Sequence, residues 1–253
     1  MSGSERTKRS VYMEWAKTRS HARFNLATSG LTSVPLSEFP VHLEELEITP
    51  AGGAYGYKVL QERLARHNGV PQECVVAATG TSMANHLAMA AVLNPGDEVL
   101  IEQPVYGPLL DVAEYLQASV KRIPRRFETG FALDVSEIEK AISKETRLIV
   151  LSNLHNPSGA LIPAATLRAI GELAHRVKAH VLVDEVYLDM LFDPSAPYCF
   201  PIGHTVARLE ENPFIVTSSL TKVYGLSGLR CGWILAAPAL AKSMWLLNEP
   251  RAW

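Results

Sequence analysis

The chain has 253 residues, of which 47% are hydrophobic and 20% are charged, and its formal net charge is -2 at pH 7. This composition is ordinary for a globular protein with one large or two small domains. The slightly acidic balance argues against a nucleic-acid partner, because such proteins usually carry a clear basic excess. No apolar run approaches the roughly 20 residues of a membrane-spanning helix, so we expect no membrane partner either.

The cysteines and the N-terminal segment indicate a cytoplasmic protein. Cys74, Cys199 and Cys231 are widely spaced and form no Cys-x-x-Cys pair. This pattern argues against a disulfide framework and against a metal site. The first 25 residues are basic but lack the apolar core of a secretory signal, so we expect a solvated N-terminal helix there.

Short apolar segments alternate with segments of helical periodicity along most of the chain. The strands are predicted at residues 74–78, 99–101, 120–123, 148–151, 181–183, 214–216 and 233–235. The helices are predicted at residues 57–64, 83–91, 108–116, 134–142, 167–177 and 240–247. Wholly apolar strands that alternate with helices indicate a mostly parallel central sheet covered on both faces. The predicted fold class is therefore α/β, with three layers in the order α/β/α.

Polar or aromatic side chains directly follow five of these strands. The segments are Gly80-Thr81-Ser82, Gln103-Pro104-Val105-Tyr106, the stretch 153–159, Asp184-Glu185-Val186-Tyr187 and the loop 218–230 around Lys222. In open α/β sheets, ligands bind beyond the carboxyl ends of the strands. We therefore expect these five segments to form one ligand site.

Two of the five segments carry the clearest chemistry. A glycine followed by two hydroxyl residues at a helix N-terminus favours an anion site, although Thr81 or Ser82 could simply cap the helix. Lys222 lies among small and hydroxylic residues, and Arg230 follows it by eight positions. A partly desolvated lysine keeps a neutral amine available for a Schiff base with an aldehyde cofactor, and hydroxyl and guanidinium groups suit that cofactor's phosphate. A plain polar loop between two strands is the alternative.

Taken together, these motifs resemble those of the fold-type I pyridoxal-phosphate-dependent aminotransferases of classes I and II. The matching features are the Gly-Thr-Ser turn, Pro-x-Tyr, Asn-Pro-Ser-Gly, Asp-Glu-x-Tyr, and Ser-x-x-Lys followed by Gly-Leu-Arg-x-Gly, and they run from about residue 27 to the last residue. The resemblance implies a large cofactor-binding domain over residues 51–253, preceded by an N-terminal segment, residues 1–50, with a helix and a substrate-side loop. It also implies transfer of an amino group between an amino acid and a 2-oxo acid, pyridoxal 5'-phosphate as cofactor, and a homodimer.

The resemblance further implies a role for each matching residue near the ring of the cofactor. Lys222 would form the Schiff base and then move the proton, and Asp184 would pair with the pyridine nitrogen. Asn156 and Tyr187 would hydrogen-bond the 3-oxygen of the ring, and Tyr106 would stack on its face. Each of these residues also has an ordinary structural reading, such as an Asn-Pro turn for Asn156 or core packing for Tyr106.

The remaining matches lie around the phosphate and the substrate. The resemblance implies that the phosphate is held by Gly80, Thr81, Ser82, Ser219 and Arg230. Gly30 and Asn156 would lie against the substrate, and Tyr55 would reach the phosphate of the neighbouring subunit. His155 and His86 are expected to be structural.

The sequence departs from the family at its C-terminal end. Members of the family continue far beyond the lysine loop, whereas this sequence ends at Trp253. The resemblance therefore implies that a small C-terminal domain, with the arginine that binds the substrate α-carboxylate, is absent, as in a fragment or a truncated gene product. The alternatives to transamination are a lyase or decarboxylase on the same scaffold, a non-enzymatic cofactor-binding module, and a catalytically inactive fragment.

Overall fold

The computed structural model describes residues 9–19, 23–25, 28–32, 34–42, 44, 57–191, 205–208 and 213–248. The strands are β1 (Val75–Thr79), β2 (Glu98–Gln103), β3 (Ser119–Pro124), β4 (Thr146–Ser152), β5 (His180–Asp184), β6 (Phe214–Ser219) and β7 (Cys231–Leu235). The helices are α1 (Val11–Thr18), α2 (Lys58–Asn68), α3 (Thr81–Val92), α4 (Gly107–Tyr115), α5 (Val135–Ala141), α6 (Ala164–Val177) and α7 (Pro238–Asn248).

The strands form one mixed sheet in the order β1-β7-β6-β5-β4-β2-β3. The strands from β3 to β6 in this order pair in parallel, while β7 runs antiparallel to both β6 and β1. The prediction of a mostly parallel sheet is thus confirmed. Parallel pairing brings the carboxyl ends of β4, β5 and β6 to one edge, where the loops after them meet.

Helices cover both faces of the sheet, which confirms the three-layer prediction. Successive residues of a strand contribute to opposite cores: Leu100 and Ile149 pack in one cluster, and Ile101 and Val150 in the other. Because side chains alternate across a strand, burial on both faces requires an uninterrupted apolar run. This requirement explains the apolar strand pattern of the sequence.

The N-terminal helix rests on the surface of this domain. Helix α1 has no buried residue, and Ser10 caps it by accepting a hydrogen bond from the Met13 amide at 3.4 Å. The helix lies against α4. The predicted domain boundary at residue 50 falls outside the described residues. No helix in the described part of the chain combines the length and apolarity needed to cross a membrane.

Candidate active site

A cavity of about 470 Å³ opens at the carboxyl ends of β4, β5 and β6. Nine of the predicted site residues line it: Thr81, Ser82, Tyr106, Asn156, Asp184, Tyr187, Ser219, Lys222 and Arg230. The remaining two lie beside it, because a Cβ on Gly80 would be 2.6 Å from Arg230 Nη2 and one on Gly30 would be 3.5 Å from Lys222 Cδ. The volume suits a small organic ligand.

One side of the cavity has the chemistry of an anion site, and we call its five residues, Gly80, Thr81, Ser82, Ser219 and Arg230, the anion cradle. Helix α3 begins at Thr81 without a side-chain cap, so the turn amides at its positive end are available to an anion. Capping by Thr81 or Ser82, the alternative, is therefore not what the structure has. The Thr81 hydroxyl instead donates to Ser219 Oγ at 2.7 Å.

Glycine is required at position 80 by the backbone and by its neighbours. Its φ of +82° lies in the region that residues with a Cβ seldom adopt. A side chain there would also collide with the Arg230 guanidinium. That guanidinium donates to the Thr79 carbonyl at 3.2 Å, which fixes it over the start of α3.

Asp184 is held at the end of β5 by two buried donors. Asn85 Nδ2 donates to Asp184 Oδ2 at 2.9 Å, and the Val186 amide donates to Oδ1 at 3.1 Å. Thr217 donates to Asn85 Oδ1 at 2.5 Å, which orients the amide group so that its nitrogen faces Asp184. Burial raises the pKa of Asp184, while Asn85, the Val186 amide and the Lys222 charge oppose that rise.

The Lys222 amine faces the segment 28–32. Its Nζ donates to Ser29 Oγ at 3.0 Å, and the Leu31 amide donates to the Lys222 carbonyl at 3.0 Å. Burial and the nearby ammonium of Lys17 lower the pKa of Lys222, and the charge of Asp184 acts in the opposite direction. A lowered pKa increases the fraction of neutral amine, the form that can attack a carbonyl group or accept a proton.

Two tyrosines complete the lining around the lysine. Ser29 hydrogen-bonds the Tyr187 hydroxyl, whose pKa burial raises. Tyr106 packs against α1, because its hydroxyl donates to Met13 Sδ at 3.2 Å and its ring meets Tyr12 edge to face at 5.7 Å. These contacts place α1 at the mouth of the cavity.

A buried polar network supports the loop that carries Asn156. The Asn156 amide donates to Ser152 Oγ at 3.0 Å, and Ser152 Oγ donates to Glu102 Oε1 at 2.6 Å. Glu102 also pairs with Arg125 at 2.7 Å, with both side chains fully buried. Burial raises the pKa of Glu102 to about 7, and its hydrogen bonds with Ser152 and Arg125 oppose that rise.

Neither of the two histidines near the site lines the cavity. His155 is buried, with Nε2 at 3.0 Å from the Pro104 carbonyl and Nδ1 against Ser158 Oγ, and burial lowers its pKa to about 4. His86 lies beside Tyr115 at a ring distance of 5.9 Å. The structural role expected for both histidines from the sequence stays a prediction.

Several residues at the site were not singled out from the sequence: Met13, Lys17, Ser29, Asn85, Glu102, Ser152 and Thr217. Asn85 offered a signal, because it is a polar residue on the apolar face of α3. Ser29 directly precedes the predicted Gly30. The others meet the site through contacts between residues far apart in sequence, which no local pattern reveals. Tyr55 lies outside the described residues.

Comparisons with known proteins agree with this geometry. Residues 40–251 match the family described as aminotransferase class I and II. The chain is 34% identical to the arginine–pyruvate transaminase of Pseudomonas aeruginosa over 73% of its own length and 47% of that protein. It is 30% identical to the capreomycidine synthase of Streptomyces vinaceus over 91% of its own length and 60% of that protein.

A solved structure shows the same relationship in three dimensions. The N-succinyldiaminopimelate aminotransferase of Mycobacterium tuberculosis superposes with a TM-score of 0.67 at 28% identity, over 76% of this chain and 51% of that one. The chain thus spans about half the length of the relatives it matches. On the family match and the five ordered motifs around one cavity, the chain belongs to the class I and II aminotransferases.

Proposed function

We propose that the chain is the cofactor-binding part of an aminotransferase that uses pyridoxal 5'-phosphate to move an amino group between an amino acid and a 2-oxo acid. The observation that carries the proposal is that one cavity combines a lysine of lowered pKa, a buried carboxylate and an anion cradle. The names of the relatives, which include transaminases for different amino acids, support the same substrate class.

The residues present fit this cofactor. A phosphate matches the anion cradle, where the start of α3, two hydroxyls and the Arg230 guanidinium converge. Asp184 matches a ring nitrogen that must keep its proton, because two donors stabilise the carboxylate in a buried site. Asn156 and Tyr187 line the cavity and would hydrogen-bond the ring oxygen. Tyr106 lines it as well and would stack on the face of the ring.

Each of these residues then has a task in the reaction. When bound, pyridoxal phosphate supplies an aldehyde and a ring that withdraws electrons from the substrate Cα. Asp184 would keep the proton on the ring nitrogen, and the anion cradle would hold the phosphate and so fix the position of the ring. Lys222 Nζ, once free, accepts the proton from the substrate Cα, for which its lowered pKa prepares it.

Two further expectations are part of the proposal. We expect a homodimer, for which the exposed apolar side chains of the N-terminal region, among them Val11, Trp15 and Leu36, provide contact surface. We also expect a cytoplasmic location, on the basis of the widely spaced cysteines.

The test is a visible absorbance spectrum of the protein after addition of pyridoxal phosphate, recorded for the wild type and for Lys222→Ala. The proposal predicts a protein-dependent band that disappears in the variant. Lys58→Ala, at an exposed position outside the cavity lining, serves as the matched control and should retain the band. A folded wild type without such a band would contradict the proposal.

The residues that hold the cofactor do not select which bond at the substrate Cα breaks. Amino acids should therefore be added to the loaded protein and the products identified. Formation of a 2-oxo acid together with pyridoxamine phosphate supports transamination. Release of carbon dioxide, or of an eliminated side-chain group, would indicate the decarboxylase or lyase alternative.

A further inference from the structure

Lys17 is the one charged side chain of the cavity without a hydrogen bond or an ion pair to any part of the chain that the structure describes. The other charged lining residues have partners: Arg230 donates to Thr79, Lys222 to Ser29, and Asp184 accepts from Asn85. All four side chains line the same cavity. Among the described residues, Lys17 is therefore the charged group of the cavity whose side chain is left to meet a ligand.

The position of Lys17 is set by the packing of α1. Met13 and Lys17 are four residues apart, so they lie on the same face of the helix, and both line the cavity. Met13 contacts the Tyr106 hydroxyl, and Tyr12 packs against the Tyr106 ring. Glu14, the acidic residue of this helix, is paired with Arg9 at 2.7 Å and so is not the partner of Lys17.

The charge of Lys17 acts on the amine of Lys222. Burial lowers the pKa of Lys222, the positive charge of Lys17 acts in the same direction, and the charge of Asp184 opposes both. Under the proposed function, Arg230 would be taken up by the phosphate of the cofactor and Asp184 by its ring nitrogen. No other carboxylate lines the described cavity to receive a cationic side chain.

We propose that Lys17 is a substrate-binding residue that takes a carboxylate of the amino acid or 2-oxo acid at the mouth of the cavity. The proposal rests on the proposed function and extends it to the charge of the substrate. The carboxylate comes either from the α-position or from an acidic side chain. In the second case, Lys17 disfavours a substrate with a cationic side chain, because like charges at the mouth repel.

The test is the binding of two carboxylates of equal chain length, succinate and butyrate, to the protein loaded with pyridoxal phosphate, measured by isothermal titration calorimetry. Lys17→Met should weaken succinate binding about twofold to fivefold, the range of an exposed ion pair. Lys17→Arg should restore it. Arg19→Met removes the same charge two residues away at a position outside the cavity lining, and it should leave binding unchanged.

Comparison of succinate with butyrate identifies which carboxylate of the substrate Lys17 binds. A loss for succinate alone assigns Lys17 to a side-chain carboxylate, and an equal loss for both ligands assigns it to the α-carboxylate. Equal effects of Lys17→Met and Arg19→Met, or no binding of either ligand to the wild type, would overturn the proposal.

A second readout separates this proposal from the proposed function. The Lys222-dependent absorbance band is recorded before any carboxylate is added, and its absence would refute both proposals together. If the band is present, Lys17→Met should move its pH midpoint upwards, because removal of a nearby positive charge makes protonation near Lys222 easier. A normal band whose midpoint does not move would refute the placement of Lys17 alone.

Discussion

The anion cradle extends directly from the ends of strands β1, β6 and β7, whereas Lys17 and Ser29 come from an N-terminal region whose helix α1 has no buried residue. Residues of these strands pack in both apolar cores. Within the cradle, Thr81 donates to Ser219, and the Arg230 guanidinium lies against Gly80. The N-terminal side instead contacts the site through a few side chains, mainly at Tyr106 and Lys222. We infer that rigid strand ends bind the cofactor, while the peripheral segment adjusts the lysine and meets the substrate.

Substitutions in the anion cradle should have the largest effect on cofactor affinity. Arg230→Met removes the guanidinium, and the affinity for pyridoxal phosphate should fall about 10- to 100-fold, because hydrogen bonds to charged groups are worth roughly 1.5–3 kcal/mol. Gly80→Ala should act in the same direction by displacing that guanidinium. Fluorescence titration with the cofactor measures both. Arg126→Met, an exposed arginine away from the cavity, is the control, and an equal loss there would contradict the assignment.

Removal of the hydrogen bond from Asn85 to Asp184 should have the next largest effect on cofactor affinity. Asn85→Leu removes a donor to a buried carboxylate, so the pKa of Asp184 should rise further and cofactor affinity should fall about tenfold. The loss should be greater at pH 6 than at pH 8, since the carboxylate form is harder to maintain at the lower pH. Thr217→Val should have a smaller effect of the same sign. Affinity that is unchanged at both pH values would show that Asn85 does not support Asp184.

The core beneath the site carries its own pH dependence. Burial raises the pKa of Glu185 to about 7, although the Val206 amide donates to its carboxylate at 3.0 Å. The folded state therefore holds this proton more strongly than the unfolded state does. The free energy of unfolding should fall as the pH rises from about 4.5 to 7, by up to about 1.4 kcal/mol per pH unit.

Glu185→Gln tests this link, because glutamine keeps the size of the side chain and cannot titrate. Chemical denaturation at pH 5 and pH 8 should give a smaller stability difference for the variant than for the wild type. The same pH dependence in both proteins would assign it to other groups.

The smallest effect is expected from a substitution in the N-terminal segment that contacts Lys222. Ser29→Ala removes the acceptor of the Lys222 ammonium, so the pKa of the free lysine should fall by less than about one unit. The rate at which pyridoxal phosphate attaches to the unloaded protein should then reach its plateau at a lower pH, while the final affinity changes little. A loss of affinity as large as that of Arg230→Met would erase the distinction between the two sides of the cavity.

The parts of the site that local patterns describe were predictable from the sequence. The apolar strands located the edge of the sheet, and the loops after them named Gly80, Asp184 and Lys222. The turn before α3 was ambiguous between a cap and an anion site. Only the structure shows that Gly80 takes the N-cap position and that no side chain caps this helix.

The remaining features depend on contacts over long distances in sequence. Ser29 and Lys222 are 193 positions apart, and Asn85 and Thr217 are 132 apart, so no periodicity connects them. The antiparallel direction of β7 was also not predicted, because a short apolar strand reads the same in either direction. These contacts and the direction of β7 are therefore known only from the structure, because composition and spacing do not determine them.

The most direct test of the central claim is to identify the amine that holds the cofactor. The protein is loaded with pyridoxal phosphate, treated with borohydride to fix the cofactor covalently, digested, and mapped by mass spectrometry. The account predicts that the label lies on Lys222, and that Arg230→Met reduces its yield at limiting cofactor. A label mainly on Lys17 or another lysine, or no label on folded protein, would contradict the assignment of this cavity.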